Sequence, residues 1–166
     1  MKTLLLPAFA LLFSFSVSSQ ETLSGTFEFN QTLNQYASSD EQAKQQFRQM
    51  LQTANIKLIQ EYIETVNAFD FARADSLIQT DEKLSLMPQR MVILLYDYYA
   101  IQQAGLLDYN CIVQTKTSSE DTKVIFVTAR QLKQLQPRLG ENIELKVKYI
   151  SEAPLVKLRF YTLTED

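Results

Sequence analysis

The stretch 105–128, GLLDYNCIVQTKTSSEDTKVIFVT, is where the chain changes character. Before it, apolar residues recur every three or four positions, as on one face of a helix. After it they alternate or run together, as in strands. Residues 109–116 and 123–128 read as two strands joined by the polar loop Thr117-Ser118-Ser119-Glu120-Asp121. Val124-Ile125-Phe126-Val127 is continuously apolar and predicts an interior strand. Cys111, in the apolar run Asn110-Cys111-Ile112-Val113, is the only cysteine, so no internal disulfide can form. It reads as a small buried hydrophobe, with a reactive or intermolecular thiol as the alternative.

Upstream, Ser38 and Glu41 stand three apart, as in a capping box. A long helix is predicted from there to about Asn67, with one apolar stripe that includes Phe47, Leu51, Leu58, Tyr62 and Val66. Its other face carries Gln42, Gln45, Gln46, Gln49 and Gln52, a solvated face or a partner surface. Asp70 is placed to cap a second, shorter helix through Ile78, which the charged run Thr80-Asp81-Glu82-Lys83 ends. Ser85, with Pro88 in the first turn, opens a third helix that Gly105 closes. That helix is apolar nearly all round, so it should be buried centrally. Residues 20–39 are polar, apart from the alternation Thr26-Phe27-Glu28-Phe29; they form a short strand or a loosely docked arm.

Downstream, a short helix at 129–136 is stopped by Pro137 and Gly140. Residues 143–150 and 155–163 then form a second hairpin around Ser151-Glu152-Ala153-Pro154. Helices grouped before strands imply an α+β domain at 40–166, three helices packed on one face of an antiparallel sheet of about four strands. The order of a long helix, the segment Val66-Asn67-Ala68-Phe69-Asp70-Phe71-Ala72-Arg73-Ala74, a proline-started helix, a glycine and antiparallel strands resembles NTF2-like domains over residues 43–163. That resemblance implies a curved sheet closed on one side by helices, a cone with an apolar pocket. It also implies a non-catalytic role, as is common among exported members, and carries over no active-site residue.

The residue types that are missing narrow the chemistry. There is no histidine among the 166 residues, which excludes Ser–His–Asp and Cys–His catalysis and His-containing zinc sites. Gly25, Gly105 and Gly140 are isolated, so no phosphate-cradling loop is present. No catalytic residue, cofactor or metal is therefore expected. A net charge of −3 argues against nucleic acid as a partner.

One constellation asks for a partner. If the loop 151–154 sets the hairpin register, Tyr149 pairs with Val156, Val147 with Leu158 and Leu145 with Phe160, an apolar face. The other face pairs Lys148 with Lys157 and Lys146 with Arg159. Like charges directly opposite one another are mildly destabilising. Three explanations compete: acids such as Glu144, Glu120 or Asp121 on neighbouring segments, an anionic ligand, glycan or acidic protein partner, or protection of a sheet edge. Smaller signals are a tyrosine concentration at Tyr96, Tyr98, Tyr99 and Tyr109 and the glycosylation-like triplet Asn30-Gln31-Thr32.

The amino terminus frames all of this. Lys2, an apolar run at 4–13 and the small residues Ser14, Ser16, Ser18 and Ser19 have the order of a secretory signal peptide cleaved after Ser19. The apolar run is too short for a membrane anchor, and no later segment is apolar enough to span a bilayer. The expected product is a small exported, non-catalytic binding or interaction protein, periplasmic or secreted. The alternatives are an exported enzyme using carboxylates in an NTF2-like pocket, or a structural component of an envelope complex.

Overall fold

A computed structural model of the chain describes residues 20–115 and 120–164. The proposed signal segment 1–19, with its cleavage point, and residues 116–119 of the first hairpin loop lie outside the described residues. The architecture is α+β, built on five strands: β1 (Gln20–Phe29), β2 (Asn110–Gln114), β3 (Thr122–Val127), β4 (Asn142–Ala153) and β5 (Leu158–Leu163). They close into a barrel in the order β1-β2-β3-β5-β4. All neighbours are antiparallel except β3 and β5, which run parallel. Because β4 returns to lie beside β1, the path is a Greek key.

Segment 20–29, which the sequence leaves between strand and arm, is the strand that closes the barrel. It pairs with β4 from Gln20↔Lys148 to Thr26↔Asn142, and with β2 from Phe27↔Gln114 to Phe29↔Ile112. Leu23 and Phe27 point inward, and Gly25 lies between them on the same face. Gly25 has φ +150°, a conformation that side-chain-bearing residues rarely adopt, and a Cβ there would also displace the end of the Gln114 side chain, 2.6 Å away.

Six helices lie between β1 and β2: α1 (Gln31–Asn34), α2 (Glu41–Thr53), α3 (Ile56–Asn67), α4 (Phe71–Ile78), α5 (Glu82–Ser85) and α6 (Gln89–Gln103). The predicted long helix is thus two, broken where Ala54 turns extended and Asn55 caps α3 by accepting the Leu58 N–H. Asp40, not Ser38, caps α2, accepting the Ala43 N–H. Asp70 caps α4 as expected. The charged run at 80–83 does more than end α4, because Asp81 starts the one-turn α5. Ser85 closes α5, and α6 begins only after Pro88. Gly105, at φ +72°, supplies the left-handed residue that ends α6. A seventh helix, α7 (Ala129–Leu135), with a reciprocal Thr128–Gln131 capping box, connects β3 to β4.

Two apolar clusters share the strands between them. Inside the barrel lie Leu23, Phe27, Ile112, Ile125, Val127, Ile143, Leu145, Val147 and Tyr161. On the outer side, Cys111, Val124, Phe126, Leu158 and Phe160 pack against Leu51, Ile59, Tyr62, Leu95 and Ile101 of the helices. Successive β3 residues therefore point alternately into each cluster, which is why Val124–Val127 are all buried. The interior-strand expectation holds, and Cys111 is buried as expected. The sheet differs from an NTF2-like cone: it has five strands, it closes on itself, and its interior is filled.

The second hairpin differs from its expected register. β4 runs on to Ala153, the turn is a single 3₁₀ turn at Pro154–Val156, and Lys157 adopts the left-handed conformation at φ +53°. The observed pairs are Val147↔Leu163, Lys148↔Thr162 and Tyr149↔Tyr161. After a bulge at Ile150 they continue as Ser151↔Phe160, Glu152↔Arg159 and Ala153↔Leu158. Val147 faces the barrel interior and Leu158 the helices, so the predicted pairing of the two is wrong.

Candidate functional site

The four cations singled out from the sequence do not form facing pairs. Lys148 lies opposite Thr162 on one side and Gln20 on the other, and Lys146 lies opposite Thr22. Lys157 sits in the turn. Arg159 lies opposite Glu152, and its Nε is 2.9 Å from Asp121 and 3.8 Å from Glu152. Acids from neighbouring segments thus answer Arg159, the first of the three explanations. The expected like-charge pairs disappear with the register that implied them, although Lys123 of β3 lies beside Arg159.

What the structure brings together instead is a seam between α6 and the outer side of the barrel. The chain leaving β1 is bolted there by amide and phenol groups. The Asn34 side chain donates to the Cys111 carbonyl (2.8 Å) and accepts the Cys111 N–H (2.9 Å), taking the place of a strand neighbour. The Tyr98 hydroxyl of α6 donates to the Thr32 carbonyl (2.5 Å). Asn30, the acceptor residue of the glycosylation-like triplet, is half-buried, and its side chain caps α1 by accepting the Leu33 N–H (2.9 Å).

Beside these bolts is a cleft of about 500 Å³, walled by Ile93, Leu94 and Leu158 and flanked by Arg90, Asp97 and Thr122. Arg90, Ile93, Leu94 and Asp97 follow helical spacing, so one stripe of α6 supplies a guanidinium, an apolar middle and a carboxyl. Asp97 is the unusual member. Its Oδ1 is buried and has no hydrogen-bond partner among the described residues. Desolvation pushes its carboxyl up to about 7. Arg90 is exposed and makes no ion pair among the described residues. Asp97 is the one acid in the apolar run of α6; the sequence displays it, but treating the helix as apolar all round passes over it.

Two further hollows lie on the other side of α6. One, of about 280 Å³, is lined by Tyr36, Phe47, Tyr98, Met50 and Met91. Phe47 stands between the two tyrosines, its ring centroid 5.5 Å from Tyr36 and 4.8 Å edge-on to Tyr98. The other is an open groove rimmed by Gln46, Gln49 and Gln52. Tyr96 and Tyr98 are core residues, whereas Tyr109 is exposed. Burial pushes the Cys111 thiol up to about 12, which favours the uncharged thiol form. Among the described residues, no cluster of His, Cys, Asp or Glu could hold a metal ion. No helix among them is long and apolar enough to cross a membrane.

Comparisons with protein-family models, with curated proteins and with solved structures found no match for this chain.

Proposed function

We propose that the protein is an exported, non-catalytic binding protein in which the barrel is the scaffold and the seam cleft takes a small polar ligand. The observation that carries this is Asp97, a residue of the cleft wall whose carboxyl has a buried Oδ1 with no hydrogen-bond partner among the described residues. Buried polar atoms without partners are rare, and leaving one unmade costs about 1–3 kcal/mol. A ligand donor that enters from the cleft and reaches this carboxyl removes that cost.

The placement of the helices supports the same reading. Five-stranded Greek-key barrels of the OB type bind oligonucleotides and oligosaccharides across the face of their second and third strands. Here the outward residues of those strands, Cys111, Val124 and Phe126, are buried against the chain's own helices. Binding is thereby displaced from the sheet face to its margin, where α6 meets the starts of β3 and β5.

Asp97 also favours a second reading, an enzyme with one carboxyl poised near neutral pH for proton transfer. Among the described residues no second carboxylate lines the cleft, which favours the binding reading. A thermal-shift screen of small metabolites against the protein and Ile93→Trp, which fills the cleft, tests it. Compounds that raise Tm for the native protein only support the reading; hits unaffected by the tryptophan, or no hits, overturn it. Turnover of any hit, lost in Asp97→Asn, would favour the enzyme.

A further inference from the structure

Resting on the binding reading above, we infer that the seam cleft is built for a zwitterion, a short peptide of two or three residues with its ammonium on Asp97 and its carboxylate toward Arg90. A carboxyl and a guanidinium line one cleft, and neither has a charged partner among the described residues. They do not neutralise each other, because seven residues of helix separate them. At 1.5 Å per residue that is about 10 Å along the axis. A ligand carrying only one charge would leave the other end unanswered.

The spacing also sizes the ligand. An extended peptide covers roughly 3.3 Å per residue, so two or three residues, with the reach of the arginine side chain, span the gap. Between the charges the cleft is apolar, with Leu33, Ile93, Leu94 and Leu158 available to peptide side chains. Asn30, Thr32 and Thr122 border it with groups that can meet a peptide amide. The end at Asp97 is desolvated, where a charge-assisted hydrogen bond gains most. The end at Arg90 is open, where the guanidinium adds orientation and a smaller share of the affinity.

Calorimetric titration with trialanine, N-acetyl-trialanine, trialanine amide, putrescine and glutarate tests this. Trialanine is expected to bind, with acetylation costing about tenfold or more and amidation less. Asp97→Asn should weaken trialanine without changing the acetylated form, and Arg90→Gln should do the same relative to the amide. Both replacements are near-isosteric or exposed, and circular dichroism confirms that each variant is folded. The inference is overturned if blocked and free peptides bind alike, if putrescine or glutarate binds better than trialanine, or if none of the five binds. In the last case the metabolite screen decides separately whether the cleft takes another class of ligand.

Discussion

Inside the barrel, Phe27, Ile112, Ile125, Val127 and Val147 are completely buried, and the cluster they form is apolar apart from the phenol of Tyr161. On the outer side of the same strands, the helical layer packs less completely. It leaves hollows on both sides of α6 and brings Asp97 to the wall of one of them. The difference teaches how the two regions divide the work. A barrel with a filled interior holds its shape at the expense of room for a ligand. A layer of short helices tied down at a few points leaves room beside them.

The comparison can be broken first at the barrel. Phe27→Ala should cost about 3–5 kcal/mol, because a fully buried ring is removed from a core with little freedom to collapse. Urea denaturation measures it, and a loss below about 1 kcal/mol would mean the interior is not the rigid part. Next comes the bolt between the regions. Asn34→Leu strips the Cys111 N–H and C=O of their side-chain partner, and about 2–4 kcal/mol should be lost. In hydrogen exchange, the helical layer should open before the barrel does.

Asp97 sharpens the comparison in the opposite direction. Its carboxyl is raised to about 7 in the folded chain, so the folded state holds a proton there that the unfolded state releases near pH 4. Its stabilising share is complete in acid and is lost as pH rises from about 4 to about 7. Asp97→Asn should therefore be more stable than the parent at pH 8, by roughly 1–3 kcal/mol, and equal to it near pH 4. Paired thermal melts at the two pH values check this, and a parent more stable than the variant at pH 8 would contradict it. The smallest effect is expected at Arg159→Gln. Its ion pairs with Asp121 and Glu152 are half-exposed, so the loss should stay under about 1 kcal/mol and fade in high salt.

How much of this was legible depended on whether one residue pattern had one meaning. Helix α4 and the C-terminal end of α6 were readable because Asp70 and Gly105 each have a specific terminal role, whereas Ser85, read as the opening of α6, closes α5 instead. The break at Asn55 was not, because Phe47, Leu51, Leu58 and Tyr62 keep their spacing across it, and a capping asparagine there looks like one more polar residue. The α+β class followed from the change of period after Gly105, but closure did not. It depends on β1, where only Leu23 and Phe27 carry buried apolar side chains.

The last hairpin shows the ambiguity most clearly. Leu158 and Phe160 point to the helices while Tyr161 and Leu163 point into the barrel, so both faces of β5 are apolar. Alternation then cannot choose a register, and the bulge at Ile150 removes any fixed pairing. The candidate site fared similarly. The cationic residues drew notice through a pairing that does not occur. The seam cleft depends on Asn30, Asp97, Thr122 and Leu158, which no local motif connects.

The closing strand also sets the order in which the chain can become itself. β1 is the first described segment, yet its long ladder runs against β4, with Gln20 opposite Lys148. As the chain is made, β1 must wait for β4 to appear before that edge can be covered. The parallel β3–β5 pair adds a second contact between distant parts of the sequence. Such pairings are slow to form, since the entropy of closing the loop is lost before any contact repays it. The barrel can therefore close only once β4 and β5 have both been made.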